Sequence, residues 1–301
     1  MEPLDLGFIG LGNIGGALSA NLLADGHRVT VYDVDSTRSA ALLQSGASVA
    51  KSPAEVGGAA EFTFLSLPSP AVMESVARQW LEEAADGGKI LVDLTTNAPA
   101  TVRAVGERLA LQGAQLVEAP VTGGAPGARQ RQLVFITGGD SDTVERVQPL
   151  LDSLGRATFY MGPLGAGSIG KLVNSLLAFT TMLVTLEGLA LGAKSGIDLR
   201  TLVDMVRCAG GATPYIDRRV EEIGTRGRPP EFALGLAAKD AGLMLDAGRE
   251  VGVPMAVASA VHQMLAYAMG QGLAGRDISD LAEVMERAAS VTLELRPPES
   301  A

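Results

Sequence analysis

Residues 6–33 constrain the fold more than any other part of the chain. An apolar run, Leu6-Gly7-Phe8-Ile9, breaks into Gly10-Leu11-Gly12-Asn13-Ile14-Gly15, and a helical pattern over Asn13–Ala24 follows. A second apolar run, Val29–Tyr32, ends at Asp33, 23 residues beyond Gly10. Three glycines at this spacing between strand and helix serve a dinucleotide site: Gly10 permits the tight turn, Gly12 admits a pyrophosphate, and Gly15 lets helix and strand pack closely. The helix start at Asn13 and Ile14 offers backbone amides to the phosphate charge. Asp33 stands where a carboxylate accepts hydrogen bonds from the adenosine ribose and repels a 2′-phosphate, which favours NAD over NADP. Arg38 argues the other way, because a nearby guanidinium tolerates that phosphate. A plain strand-end turn is the alternative role for Asp33.

The alternation continues. Strands are expected at Leu6–Ile9, Val29–Tyr32, Phe62–Leu67, Ile90–Leu94, Leu116–Val121 and Leu133–Thr137, with helices such as Asn13–Ala24, Ser36–Ser45 and Ala98–Gln112 between them. That pattern predicts an α/β domain built on a doubly wound parallel sheet of Rossmann type. After about Gly162 strand-like runs stop, and helices are expected over Ser168–Ser195, Leu199–Cys208, Ala233–Val251, Ala256–Met269 and Ile278–Arg287. A chain of 301 residues accommodates two domains. The expected division is 1–163, a dinucleotide-binding domain, and 164–301, an all-α substrate and oligomerisation domain reached through a long interdomain helix. Gly210–Ala212 and Gly224–Pro230 read as loops, and the tail from Arg296 as frayed.

A net charge of −10 repels phosphate backbones and anionic membranes, so no nucleic-acid partner is expected. Cys208 is the only cysteine, which excludes an internal disulfide and fits a reducing, cytoplasmic setting. It reads as a small buried residue. With only His27 and His262 in the chain, neither a catalytic thiol nor a metal site is supported. Met1–Asp5 carries no basic, apolar leader pattern. Ser175–Ala193 approaches the length and apolarity of a membrane span, but it contains Glu187 and two glycines between Lys171, Asn174 and Lys194. The expectation is a helix buried on nearly all sides, at the domain junction or in a subunit interface, and no membrane partner.

Ligands in open parallel sheets sit beyond the carboxyl ends of the strands. Leu67-Pro68-Ser69 and Asp93-Leu94-Thr95-Thr96-Asn97 end two of them. The hydroxyls of Thr95 and Thr96 serve a nicotinamide ribose or amide, or else cap the helix near Pro99. Glu118-Ala119-Pro120-Val121-Thr122-Gly123-Gly124 ends a third strand. Its Thr122 hydroxyl and the backbone amides at Gly123 and Gly124 make a concavity suited to a carboxylate-bearing substrate.

Gly162-Pro163-Leu164-Gly165-Ala166-Gly167-Ser168-Ile169-Gly170-Lys171-Leu172-Val173-Asn174 turns on glycines and opens a long apolar helix. Lys171 and Asn174, three apart, share a face. Oxidising an alcohol requires its hydroxyl proton to leave as hydride departs, and the reverse reaction protonates an alkoxide. A lysine begins near a pKa of about 10.4 and must fall towards neutrality to act as the base. Desolvation by Ile169, Leu172 and Val173 is the expected means. Lys239-Asp240, embedded in apolar sequence, is expected to face something polar.

These segments, in this order, resemble the β-hydroxyacid dehydrogenases, the family of 3-hydroxyisobutyrate dehydrogenase and tartronate semialdehyde reductase, over nearly the whole chain. The resemblance implies hydride transfer between NAD(H) and a small β-hydroxy acid or its semialdehyde, such as 3-hydroxyisobutyrate, 2-hydroxy-3-oxopropionate or serine-like molecules. It implies a site between the domains, with Lys171 catalytic, Asn174 a substrate contact and Lys239 a cofactor or active-site contact. It also implies a homodimer or homotetramer through the helical domain. Two departures stand out: Ile14 replaces a frequent methionine, and Gln130-Arg131-Gln132 replaces a glycine-containing turn, which bears on the edge of the site. Residues grading substrate size are expected within Ala209–Tyr215 and Phe232–Leu236. An imine reductase on the same architecture is the competing enzyme class, and a non-catalytic binding module the competing non-enzyme. Lys171 argues against both.

Overall fold

In the computed structural model six parallel strands, β1 (Asp5–Ile9), β2 (Arg28–Tyr32), β3 (Ser48–Val49), β4 (Phe62–Leu65), β5 (Ile90–Asp93) and β6 (Gln115–Glu118), stand in the order β3-β2-β1-β4-β5-β6. This is the Rossmann order, reversing direction of travel between β1 and β4. Helices α1 (Gly15–Ala24), α2 (Ser36–Gln44), α3 (Pro53–Ala59), α4 (Pro70–Ala84) and α5 (Pro99–Ala110) alternate with the strands. Residues 2–84, 88–213, 216, 217, 220, 223 and 229–293 are described. Tyr215, residues 224–228 of the expected loop, and the tail from Arg296 lie outside them.

The central strands β1, β4 and β5 read as nearly unbroken apolar runs because both faces are covered. Side chains alternate between two cores. Phe8, Phe64, Val92 and Val117 join one, with Phe8 and Phe64 stacked at 5.7 Å. Ile9, Leu65, Leu91 and Leu116 join the other. Thr63 is a fully buried polar residue in a central strand. Trp80 of α4, the only tryptophan, is equally buried and its indole N–H donates to the Thr63 hydroxyl at 2.9 Å.

A second sheet was not expected. The predicted strand Leu116–Val121 is two pieces, because it leaves the main sheet at Ala119-Pro120. Beyond the break, β7 (Val121–Thr122) pairs antiparallel with β8 (Leu133–Thr137), and β9 (Gly155–Tyr160) pairs parallel with β8. Proline has no amide for a ladder, and the Pro120 carbonyl accepts from the Ile136 amide at 3.0 Å. Between these strands lie α6 (Gly124–Arg129) and α7 (Ser141–Leu154).

Past β9 the described residues form helices: α8 (Ala166–Lys194), α9 (Leu199–Arg207), α10 (Leu234–Val251), α11 (Ala256–Gly270) and, after a 3-10 turn at Ile278–Asp280, α12 (Leu281–Ala289). The chain divides into two compact units at Leu172/Val173, inside α8. Asp198 caps α9 by accepting from the Thr201 amide at 2.8 Å. Buried Asp277 accepts from the amides of Glu231, Phe232 and Ser279, which fixes the approach to α10. Phe232 also stacks against Phe179 of α8.

Within the single chain, helix α8 leaves Leu177, Val184 and Leu191 63%, 55% and 71% exposed, seven residues apart along one face, so the burial expected in a subunit interface is the placement that this face still fits. By length and composition alone α8 is apolar enough to cross a membrane. Cys208, at the end of α9, is exposed rather than buried.

The departure at 130–132 has a structural account. Arg131 takes a left-handed backbone, φ +57°, that favours glycine. Its guanidinium makes a fork to Asp25 at 2.7 and 2.9 Å and also donates to the carbonyls of Ser153 and Asn21. These bonds to the end of α1 and to α7 offset a conformational cost of about 1–2 kcal/mol. Arg131→Ala, which keeps the strain and loses the bonds, is expected to lower unfolding free energy by about 1–2 kcal/mol, and Arg131→Gly by less. Urea titrations followed by circular dichroism measure the difference; equal losses would show that backbone strain contributes nothing.

Candidate active site

Five neighbouring strands, β2-β1-β4-β5-β6, end at one edge of the main sheet; a sequence-predicted residue or its immediate neighbour follows four of them, and after β6 the first is Thr122, beyond the break at Ala119-Pro120. After β1, Gly10 turns with φ +91° and its amide donates to the Tyr32 carbonyl at 2.9 Å. A Cβ on Gly15 would lie 1.9 Å from the Gly10 carbonyl oxygen, so this glycine is required by the approach of α1 to the turn. A Cβ on Gly12 would meet nothing closer than Arg38 Nη1 at 3.8 Å. Among the described residues no atom demands glycine there. Ile14 precedes α1 without a side-chain cap, and the first turn holds no acidic residue. Asn13 is exposed beside it.

Asp33 does more than end β2. Its side chain is 5% exposed, Oδ2 accepts from the Leu11 amide at 2.6 Å, and Oδ1 accepts from the Asp35 amide at 2.8 Å. The carboxylate therefore holds the glycine turn against β2. Arg38 Nη1 stands 3.6 Å from Oδ2, at the side of the turn that Gly12 leaves open. A carboxylate has about four acceptor sites, so two amide bonds leave capacity for further donors.

After β4, the Leu67 amide donates to the Thr95 hydroxyl at 3.1 Å, and exposed Pro68 follows. Helix α5 begins after Ala98 with no side-chain cap, so the capping role considered for Thr95 and Thr96 does not hold. Thr95 instead joins the ends of β4 and β5; Thr96 is partly exposed.

Two carboxylates outside the sequence-predicted set stand at the same edge. Asp93 ends β5 and Glu118 ends β6, in register with each other, and both are buried. Asp93 accepts from the Thr95 amide at 3.1 Å and from Asn97 Nδ2 at 2.6 Å. Burial pushes its carboxyl up to about 7, with help from the Glu118 charge and against the pull of those two partners. Asn97 Oδ1 is buried without a hydrogen-bond partner among the described residues. Glu118 accepts from Gly165, Gly167 and Ser168 at the start of α8. Burial pushes its carboxyl up and these bonds pull it down. The available signal was a charged residue closing an otherwise apolar strand.

Beyond β6, Thr122 lies in β7, and Gly123 and Gly124 both have positive φ, +123° and +64°, as the chain enters α6. Lys171 and Asn174 are partly buried, one turn apart on α8. Of the apolar neighbours expected to desolvate Lys171, Leu172 is 3% exposed, and Ile169 and Val173 are 39% and 52% exposed. In the second unit, Lys239 lies on α10 with its Nζ 3.0 Å from the buried carboxylate of Asp240. Among the described residues no cluster of three or more His, Cys, Asp or Glu side chains is placed to hold a metal.

A Rossmann sheet with a glycine turn, a strand-end aspartate and a following helical unit defines the NAD(P)-dependent dehydrogenases. The model for the NAD-binding domain of 6-phosphogluconate dehydrogenase matches residues 5–162. That for the NAD-binding region of NADP-dependent 3-hydroxyisobutyrate dehydrogenase matches 165–285. The chain is 36% identical over 250 residues to 3-hydroxyisobutyrate dehydrogenase of Pseudomonas aeruginosa, covering 80% of this chain and 84% of that one. It is 30% identical over 295 residues to 2-(hydroxymethyl)glutarate dehydrogenase of Eubacterium barkeri, covering 97% and 98%. The structure of 3-hydroxyisobutyrate dehydrogenase from Mycobacterium tuberculosis with L-serine superposes with a TM-score of 0.83 at 26% identity, over 94% of this chain and 99% of that one. Imine reductases share the fold more distantly, at TM-scores of 0.63–0.64. The chain belongs to the β-hydroxyacid dehydrogenase family, and its cofactor is NAD(P).

Asp93 sets a pH dependence of stability. With its carboxyl raised to about 7 in the fold, its contribution is full below the ordinary aspartate range and is lost as pH rises through about 7. Asp93→Asn, which keeps an acceptor for Thr95 and lets the Asn97 amide turn to pair its oxygen, is expected to flatten this fall. Denaturant midpoints between pH 4 and 8 check it, and parallel curves for the two proteins would refute it.

Proposed function

We propose that this protein is an NAD-dependent dehydrogenase of a small β-hydroxy acid, or the reductase of its semialdehyde, with Lys171 as the general acid and base. The observation that carries this reading is the placement of Lys171 on α8, whose first turn is bonded to the same sheet edge that bears the glycine turn, Asp33 and Thr95. The space left open at Gly12, the uncapped start of α1 and the spare acceptor capacity of Asp33 fit a dinucleotide. Gly10, Gly12, Asn13, Ile14, Gly15, Asp33, Leu67, Pro68, Thr95 and Thr96 are assigned to hold it, with Lys239 contributing from α10. Bound nicotinamide supplies hydride acceptance and donation at its ring.

Thr122 and the amides at Gly123 and Gly124 bind the substrate carboxylate, and Asn174 orients the hydroxyl-bearing carbon. Lys171 removes the hydroxyl proton during oxidation and returns it during reduction. The names of the relatives, which include an NAD-dependent L-serine dehydrogenase, support a substrate of this size and charge. The domain roles follow: 1–163 binds the dinucleotide, and 164–301 completes substrate binding and assembly. The lysine at 171 weighs against an imine reductase and against a binding module without turnover. A cytoplasmic setting fits the single, exposed cysteine.

The exposed apolar row Leu177, Val184 and Leu191 supports a homo-oligomer built through α8, since a seven-residue repeat suits packing against another helix. It offers an occupant for that face other than lipid. Leu191→Lys is expected to shift the protein to a smaller species in light scattering after size exclusion. An unchanged mass would remove α8 from the interface.

Lys171→Met is expected to lower kcat by about 10²–10⁴-fold with 3-hydroxyisobutyrate, L-serine and small semialdehydes as probes. NADH affinity, read by its fluorescence, is expected to hold. Turnover that survives the substitution, or a cyclic imine reduced faster than every semialdehyde, would overturn the assignment.

A further inference from the structure

We infer that Glu118 is the positioning residue for Lys171: its buried carboxylate grips the first turn of α8 and sets where that helix presents the amine. The inference rests on Lys171 being the proton-transfer group.

Glu118 is 1% exposed, and both of its oxygens are used. Oε1 accepts from the amides of Gly165 and Gly167 at 2.6 and 2.9 Å. Oε2 accepts from the amide and the hydroxyl of Ser168 at 2.9 and 2.5 Å. All four partners are donors, so the arrangement favours a charged acceptor and strong, charge-assisted bonds. The first amides of a helix lack partners within it, and a negative charge there is stabilising. The first turn of α8 has no acidic residue of its own. The charge therefore comes from a different element.

That element matters. The backbone of Glu118 is held in turn by paired bonds with Gly138, amide to carbonyl in both directions at 3.0 and 2.9 Å. Space around the carboxylate is closed. A Cβ on Gly167 would lie 2.7 Å from the Ile136 carbonyl oxygen, and one on Gly138 would lie 2.4 Å from Glu118 Oε1. The glycine at 167 is thus required by the closeness of the grip. Ser168 and Lys171 are three residues apart and share a helix face, so the shortest bond in the set lies one turn below the lysine. In the other direction the chain runs from Glu118 through Ala119-Pro120-Val121 to Thr122. One side chain thereby ties the lysine-bearing helix to the strand that leads into the carboxylate-binding loop. A local cap on α8 would stabilise the helix equally well but would not fix its first turn to that strand.

Two consequences separate positioning from mere stability. Misplacing a reacting group by about 1 Å costs about 10²-fold in rate. Removing a negative charge from a helix start also leaves its partial positive charge uncompensated, which makes the nearby lysine easier to deprotonate. Glu118→Gln is therefore expected to lower kcat by about 10–100-fold, with the NADH dissociation constant within about twofold of the parent. The acid limb of kcat/KM for 3-hydroxyisobutyrate or L-serine oxidation should move to lower pH by about half a unit. Glu118→Asp keeps the charge and should leave that limb in place while recovering part of kcat.

A folded Glu118→Gln protein with kcat within about threefold of the parent, or with an unmoved limb, overturns the inference if Lys171→Met is inactive alongside it. Turnover in Lys171→Met overturns the underlying reading instead. Should Glu118→Gln fail to fold, Ser168→Ala removes only the hydroxyl donor; it is expected to cost several-fold in kcat without change in NADH binding, and an unchanged kcat overturns the inference.

Discussion

Parallel strands that finish at a common edge leave amides and carbonyls there with no ladder to pair them. Side chains at the strand ends must take up the difference. Asp33 binds the amide of the glycine turn, Thr95 that of Leu67, Asp93 that of Thr95, and Glu118 three amides at the start of α8. The residues that finish the sheet are therefore the same ones that shape the site. Four polar residues, each buried or nearly so, fix the turns that follow β1, β4 and β5 and the start of α8.

Much of this was legible in the residues. Apolar runs of four to six residues separated by helical periods matched β1, β2, β4 and β5 to within two residues at their ends; in β1, β4 and β5, buried on both faces, little polar alternation obscures them. The helices after Gly162 were equally plain. Less legible were β3, only two residues long, and β9, whose sequence Gly155-Arg156-Ala157-Thr158-Phe159-Tyr160 mixes polar and apolar types on a partly exposed edge. The break at Ala119-Pro120 was hidden inside an apolar stretch; only the proline marked it.

Within the site, glycine spacing located the turn and the start of α8, and Asp33 was legible as the strand-end carboxylate, whereas Asp93, which holds Thr95 and Asn97, and Glu118, which holds the start of α8, carry no spacing signal. Asp93 and Glu118 look like ordinary strand-end charges until register sets them side by side and burial removes them from water. Apolar spacing along α8 did not tell which apolar residues the single chain covers: Leu172 is buried, whereas Ile169 and Val173 are exposed.

Trp80 lies in the first compact unit, sealed under β4 and bonded to Thr63. Its emission therefore reports on the Rossmann half alone, whereas far-ultraviolet ellipticity draws on both halves and heavily on the helical one. Overlaid heating curves from these two signals tell whether the molecule melts as a single cooperative body or sheds one half ahead of the other, with no label attached.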